Sequence, residues 1–94
     1  MGIAIVTGGS RGIGAAISEK LAAEGHDVVI NCASSVEKAE AVAEKCRAHG
    51  VKAVVKQWDV SDYEACGKAL KEIKEEMGVP YILVNNAGIT RDGL

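Results

Sequence analysis

The chain has 94 residues, of which 48% are hydrophobic and 26% are charged, and its formal net charge at pH 7 is −2. These values are typical of a single globular domain. The near-neutral charge provides no concentrated basic face for nucleic acid, and no apolar run is long enough to span a bilayer. We therefore expect neither a nucleic-acid partner nor a membrane partner.

The three cysteines, Cys32, Cys46 and Cys66, are widely spaced and form no C-x-x-C pair. His26 and His49 complete no spacing that is typical of a zinc site. The sequence therefore predicts reduced thiols, no metal site and a cytoplasmic location.

A glycine-rich turn separates the first two predicted elements, a short apolar strand at Ile3 to Val6 and an amphipathic helix. Residues 7–14 read TGGSRGIG. Such a turn lets bare backbone approach a phosphate, whose negative charge the helix dipole favours. Gly8 can turn the chain off the strand, Gly12 can bring backbone against a pyrophosphate, and Gly14 can let the helix pack closely. The turn predicts a dinucleotide site, and the alternative is a tight loop that needs positive φ angles.

Helices and strands alternate along the rest of the chain. Gly25 is a natural end for the first helix, and Val28 to Ile30 predict a second strand that is buried on both faces. Apolar residues at helical spacing predict the buried face of the first helix: Ile13, Ala16, Ile17 and Leu21.

Two stretches with capping-box spacing, residues 34–37 (SSVE) and 61–64 (SDYE), predict the starts of the second and third helices. Gly50 should end the second helix. Ala53 to Val55 begin a third strand, and Tyr81 to Val84 form a fourth. The predicted inward residues are Ala39, Val42, Ala43 and Cys46 in the second helix and Cys66, Ala69, Leu70, Ile73 and Met77 in the third.

The order βαβαβαβ predicts a parallel sheet with helices on both faces, because crossovers between parallel strands are right-handed. The natural strand order of such a doubly wound sheet is 3-2-1-4. This is a Rossmann-type doubly wound sheet, truncated to four strands and three helices. Ligands bind such sheets at the carboxyl ends of the strands, where the strand order reverses. Four segments converge there: residues 8–14, 31–35, 59–60 and 85–88.

The turn at residues 7–14, together with NNAG at residues 85–88, resembles the two N-terminal signatures of the short-chain dehydrogenase/reductase family. Residues 85–92 (NNAGITRD) are similar to one branch, the bacterial 3-oxoacyl-[acyl-carrier-protein] reductases, and the acetoacetyl-CoA reductases share this tail. The resemblance covers the whole chain in register.

The cofactor that the sequence favours is NADP(H). An NAD enzyme usually offers a carboxylate to the ribose after the second strand, but residues 31–35 (NCASS) contain no acid. Arg11 can add positive charge toward a 2′-phosphate, and Ser34 or Ser35 can donate hydroxyl hydrogen bonds. Alternatively, Ser34 caps the helix and Arg11 is a solvated surface charge.

The resemblance implies that Asp59 meets the adenine amino group, that Val60 packs beside the ring, and that residues 86–88 line the cofactor. Alternatively, Asp59 belongs to a strand-to-helix turn, and Trp58 is expected to be a packing residue. The predicted cofactor-binding residues are Gly8, Ser10, Arg11, Gly12, Ile13, Gly14, Ser34, Asp59, Val60, Asn86, Ala87 and Gly88.

The family's catalytic Ser, Tyr, Lys and supporting Asn lie C-terminal to the NNAG segment, and residues 1–94 contain no match for them. The resemblance therefore implies the N-terminal, dinucleotide-binding part of a single Rossmann domain, inactive by itself. Its parent would use NADPH to reduce a 3-oxoacyl thioester carried by acyl carrier protein or coenzyme A. The alternatives are an acetoacetyl-CoA reductase of the same family, a non-catalytic nucleotide-binding fragment, or a methyl-donor-binding transferase.

The fourth strand carries a further expectation. Residues 82–84 (ILV) read as a central strand that is buried on both sides, and an uncovered apolar edge invites pairing with another copy. We therefore expect the 94-residue chain either to be marginally stable or to self-associate through the fourth strand.

Overall fold

The computed structural model describes residues 2–8 and 12–85. Over these residues, strands and helices alternate along the chain. They are β1 (Ile3–Val6), α1 (Gly12–Ala23), β2 (Asp27–Cys32), α2 (Val36–Arg47), β3 (Ala53–Gln57), α3 (Tyr63–Glu76) and β4 (Ile82–Val84). The strands form one parallel sheet in the order β3-β2-β1-β4. This confirms the predicted Rossmann-type topology.

The sheet has a hydrophobic core on each face, as a doubly wound fold requires. On one face, Val6, Val28 and Ile30 pack in a buried cluster with residues of α1 and α2. On the other face, Ile5 and Val29 pack in a second cluster with residues of α3. Because successive residues of a strand point to opposite faces, β1 and β2 contribute to both clusters.

The second strand is longer than predicted. It continues past Ile30 through Asn31 and Cys32, which lie opposite Lys56 and Gln57 of β3. Asn31 interrupts the apolar run that the prediction relied on, but its backbone still pairs with β3 and its side chain is buried. The predicted end of β2 at Ile30 is therefore wrong by two residues.

The predicted buried face of α1 is also wrong. The buried residues are Gly14, Ser18 and Ala22, whereas Ile13 is 64% exposed. Small side chains let this helix lie close to the sheet. The buried Ser18 hydroxyl is satisfied because it donates to the carbonyl of Gly14 at 2.8 Å. Of the predicted stripe, Ala16 is also exposed, and Ile17 and Leu21 are half-buried at the margin of the cluster.

The prediction for α2 is confirmed, since its buried residues are Ala39, Val42, Ala43 and Cys46. In α3, Ala69 and Ile73 are buried, but Leu70 is exposed. Gly25 and Gly50 follow α1 and α2 with φ angles of 96° and 87°, values that glycine adopts without strain.

Neither predicted capping box is observed. Ser35 is the N-cap of α2 but makes no side-chain capping bond. Asp62, one residue later than the predicted serine, caps α3 by accepting from the N–H of Ala65 at 3.1 Å. Ser61 bonds instead to Asp59, which leaves the carboxylate of Asp62 to take the capping position.

The fourth strand pairs with β1, and the structure describes no strand on its other edge. Leu83 is 64% exposed, and Ile82 and Val84 are half-buried. Burial on both sides, which the apolar run predicted, is therefore not observed over the described residues.

Among the described residues, no helix has the length and apolar character needed to cross a bilayer.

The close contact of α1 with the sheet can be tested by Ala22→Leu. Ala22 is fully buried, and the next residue, Ala23, is exposed. Three additional carbons at residue 22 should lower the free energy of unfolding by about 1–3 kcal/mol, because they overpack the core. Ala23→Leu is the control and should change it by less than about 0.5 kcal/mol. Urea denaturation of both variants checks this, and equal effects would contradict the observed helix orientation.

We propose that self-association of the 94-residue chain involves the exposed face of β4. Leu83→Lys places a charge on that face and should shift the chain toward monomer in sedimentation equilibrium, because a lysine is costly to bury without a partner. Lys68→Leu is the control, since Lys68 lies on the exposed part of α3. A wild-type chain that is already monomeric at all concentrations would contradict the proposal.

Candidate functional site

The parallel sheet brings four chain segments together at the carboxyl ends of its strands. Thr7 and Gly8 follow β1, Ser34 follows β2, Asp59 follows β3 and Asn85 follows β4. In parallel sheets, the crevice outside these strand ends is the usual ligand site, at the point where the strand order reverses. Here the order reverses between β1 and β4.

The side chain of Asn31 joins three of these strand ends. Its Oδ1 accepts from the backbone N–H of Gly8 at 3.0 Å, and its Nδ2 donates to the carbonyl of Trp58 at 2.9 Å. Gly8 begins the glycine turn after β1, and Trp58 immediately precedes Asp59 after β3. One amide group therefore connects the ends of β1, β2 and β3.

Thr7 joins the end of β1 to the end of β4. Its backbone N–H donates to the carbonyl of Val84 at 3.0 Å, and its hydroxyl donates to the same carbonyl at 3.2 Å. The hydroxyl also lies 3.4 Å from Oδ1 of Asn85. The two sides of the switch point are thus held together by hydrogen bonds as well as by strand pairing.

The two described glycines that border residues 9–11 of the turn have positive φ angles, which the tight-loop alternative also requires. Gly8 and Gly12 have φ angles of 64° and 59°, a region that other residues rarely adopt. A Cβ at Gly12 would meet no atom of the described residues within 4 Å, so none of them fills the space beside Gly12. Gly14 is buried against the sheet, while Ile13 points outward.

The N-terminus of α2 borders an open cavity of about 420 Å³. Ser34 lines it, as do Ser35, Glu37 and Lys38 of the same stretch. The carboxylate of Glu37 and the ammonium group of Lys38 balance in formal charge, so the helix N-terminus supplies the remaining positive potential. Glu37 lies two residues beyond the stretch 31–35, which contains no acid.

Asp59 is exposed and forms a local turn. Its Oδ1 accepts from the Ser61 hydroxyl at 2.7 Å and from the Ser61 backbone N–H at 2.9 Å. The hydroxyl bond, and then the backbone bond, lower the pKa of Asp59 below its ordinary range. The carboxylate is therefore held ionised, as an acceptor of hydrogen bonds.

Val60 is partly exposed beside a second cavity, of about 220 Å³, on the α3 face. Trp58, Leu70 and Leu83 also line this cavity. Trp58 is 9% exposed and belongs to the core cluster of that face, so it packs as expected and is not an open stacking surface. Its indole N–H has no hydrogen-bond partner among the described residues.

Some predicted residues cannot be placed. Ser10 and Arg11 of the glycine turn, and Asn86, Ala87 and Gly88 of the NNAG segment, lie outside the described residues.

Sequence reasoning missed Asn31 and Thr7, the two side chains that connect the strand ends. A signal for Asn31 was present, because a polar amide inside the apolar run VVINC must find buried partners if the run is a strand. The sequence did not reveal which partners these are, since Gly8 and Trp58 are 23 and 27 residues away.

No arrangement of three or more His, Cys, Asp or Glu that could hold a metal occurs within the described residues. Cys32, Cys46 and Cys66 are free thiols. Burial raises the pKa of the Cys32 and Cys46 thiols above their ordinary value, which makes them poor nucleophiles.

The family model for short chain dehydrogenase matches residues 2–94. This chain belongs to the short-chain dehydrogenase family. The resemblance that the glycine turn and the NNAG segment predicted is therefore confirmed.

Two reductases are among the relatives of this chain. FabG of Staphylococcus aureus, a 3-oxoacyl-[acyl-carrier-protein] reductase, is 50% identical over 91 residues, or 97% of this chain and 37% of that protein. An acetoacetyl-CoA reductase of Paracoccus denitrificans is 48% identical over 92 residues, or 98% of this chain and 36% of that protein.

A metagenomic short-chain oxidoreductase, solved in complex with NADP, matches this chain with a TM-score of 0.85 and 39% identity. The match covers 90% of this chain and 38% of that chain. The 94 residues thus span little more than a third of the length of these relatives.

The role of Ser61 in fixing Asp59 can be tested by Ser61→Ala. Loss of the hydroxyl bond should raise the pKa of Asp59 part of the way to its ordinary value, because the backbone N–H bond remains. Because the pKa of Asp59 is lower in the folded state, these bonds stabilise the protein at pH values above the ordinary pKa of aspartate. Their contribution to stability is lost as the pH falls through the lowered pKa. Carboxyl ¹³C NMR titration measures the pKa.

Ser18→Ala is the control for that titration, because the Ser18 hydroxyl donates to Gly14 and not to Asp59. It should leave the Asp59 titration unchanged. If Ser61→Ala also leaves it unchanged, the Ser61 hydroxyl does not bind the carboxylate in solution.

Proposed function

We propose that this chain is the NADP(H)-binding, N-terminal part of a short-chain dehydrogenase that reduces a 3-oxoacyl thioester to the 3-hydroxyacyl compound. The observation that carries the proposal is the start of α1 at Gly12, where no described residue fills the adjacent space, at the switch point of the sheet. The family membership and the NADP-bound relative support it.

The residues at the turn fit a pyrophosphate. The first backbone N–H groups of an α-helix have no partners within the helix, so those at the start of α1 are donors that a phosphate can use. The positive end of the helix dipole favours an anion there. Gly8 at φ 64° lets the chain leave β1 without a side chain at that position.

The stretch after β2 fits a 2′-phosphate better than a bare ribose. Ser34 is exposed and lines the 420 Å³ cavity, where its hydroxyl is a possible donor to a phosphate. No carboxylate occurs between Asn31 and Ser35 to bind ribose hydroxyls. Lys38 offsets the charge of Glu37, and we assign Arg11 as a further cation for the phosphate.

The end of β3 fits the adenine. Asp59 is an ionised acceptor whose Oδ1 is engaged by Ser61, and we assign its Oδ2 to the exocyclic amine of adenine. Val60 presents an exposed apolar surface next to it, suited to the edge of the ring. We assign Asn86, Ala87 and Gly88 to the ribose and nicotinamide half.

The named relatives support this proposed reaction. NADPH, when bound, supplies the hydride for the 3-oxo carbon, and a proton must reach the oxygen. This chain's part is to hold the cofactor in place, and we propose that the proton donor lies in the sequence beyond residue 94. Both acyl carrier protein and coenzyme A remain candidate carriers, because both kinds of reductase are close relatives.

A cytoplasmic location is part of the same proposal. Cys32 and Cys46 are free and buried, as is usual for proteins of a reducing compartment.

Calorimetric titration of the 94-residue chain with NADPH and NADH tests the cofactor assignment. NADPH should bind more tightly than NADH. Arg11→Ala should weaken NADPH binding about tenfold, as expected for a lost charge-assisted hydrogen bond, and should affect NADH much less. Lys45→Ala removes a charge at the other end of α2 and is the control. Equal losses for both cofactors in Arg11→Ala would contradict the 2′-phosphate assignment.

The catalytic assignment needs a separate assay. The 94-residue chain, mixed with NADPH and acetoacetyl-CoA, should show no NADPH oxidation above background, since we place the proton donor outside it. Turnover that depends on the chain would contradict that placement without affecting the cofactor assignment.

A further inference from the structure

Asn31 is a polar residue in a strand that is otherwise apolar. It is 2% exposed, and its neighbours Ile30 and Cys32 belong to the hydrophobic cluster beneath α1 and α2. A buried amide is costly unless its hydrogen bonds are made. Both ends of the Asn31 amide are engaged, one by Gly8 and the other by Trp58.

These two bonds require an amide of this length. The Gly8 N–H needs an acceptor, and the Trp58 carbonyl needs a donor. Aspartate offers acceptors to both when ionised, leucine offers neither function, and serine is too short to reach in two directions. The hydrogen-bonded connection between the ends of β1 and β3 therefore depends on an asparagine at residue 31.

The two partners belong to different halves of the cofactor site. Gly8 starts the turn that leads to the N-terminus of α1, whereas the Trp58 carbonyl immediately precedes the adenine-binding residues Asp59 and Val60. The N–H of Gly8 is directed at Asn31, so phosphate binding falls to amides later in the turn and at the start of α1. Both ends of the Asn31 amide are thus engaged by the protein's own backbone.

We propose that Asn31 is a positioning residue that fixes the phosphate-binding turn at one distance from the adenine-binding end of β3. The inference rests on the proposed function, and it adds that the spacing of the two subsites is set by one buried amide. Because binding of a rigidly spaced ligand requires both subsites at once, an error in spacing weakens the whole dinucleotide more than either half.

Two variants of the 94-residue chain test this spacing role, Asn31→Asp and Asn31→Leu. Each is titrated with NADPH and with adenosine, which carries the adenine but no phosphate. NADPH affinity should fall about tenfold or more in both variants, as expected for a broken buried hydrogen bond. The affinity for adenosine should fall less than about twofold. If Asn31→Asp and Asn31→Leu lose similar affinity for NADPH, the loss is not caused by repulsion between the new carboxylate and the phosphates.

Ile73→Val is the matched stability control. Ile73 is fully buried in the cluster beneath α3, and its truncation should cost about 0.5–1.5 kcal/mol of stability. It should leave both affinities unchanged at temperatures well below its unfolding transition. If the two Asn31 variants lose the same factor for both ligands, Asn31 has a general structural role and the spacing proposal is wrong.

Hydrogen exchange of the Gly8 amide provides a readout that does not need the variants to fold. In the wild-type chain this amide should be protected, and it should stay protected when NADPH is added, because its acceptor is Asn31 and not the ligand. Exchange at the rate of a free peptide would overturn the proposal.

These measurements distinguish a failure of the proposed cofactor binding from a failure of the spacing role of Asn31. If the wild-type chain binds neither NADPH nor adenosine, the proposed function fails, and the spacing role fails with it. If the wild type binds both and the Asn31 variants bind like wild type, the spacing role alone is wrong.

Discussion

The pairing of β1 with β2 on one edge and with β4 on the other is the constraint on which the rest of this structure depends. It places β1 at the centre of the sheet, with Ala4, Ile5 and Val6 buried. It also places the glycine turn where the strand order reverses. The crossover helices must then cover both faces, which leaves the carboxyl edge of the sheet open to a ligand.

Hydrogen bonds from two side chains hold the carboxyl ends of the four strands in fixed positions relative to one another. Thr7 binds the end of β4, and Asn31 binds the ends of β1 and β3. Both residues are buried, where hydrogen bonds are shielded from water and an unmade one is costly. The segments that lead from β1 to Gly12 and from β3 to Asp59 therefore begin at residues that hydrogen bonds hold in place.

The sequence predicted most of the fold because its signals were local. The alternation of apolar runs with helical stripes, ended by Gly25 and Gly50, was enough for the strand order and for the buried face of α2. The buried face of α1 was missed because apolar side chains were counted as buried. In a helix pressed close to a sheet, small residues such as Gly14 and Ser18 occupy the contact, and Ile13 is displaced outward. The amide of Asn31 was missed because its partners are distant in sequence.

The central claim is that an adenine dinucleotide binds at the start of α1. The most direct measurement is an amide chemical-shift map of the ¹⁵N-labelled chain during titration with NADPH. The account predicts that the largest shifts occur at Gly12, Ile13 and Gly14, with further shifts at Ser34 and Asp59. Shifts confined to the opposite end of the strands, near Gly2, His26 and Tyr81, would contradict it, as would the absence of any shift in a folded sample.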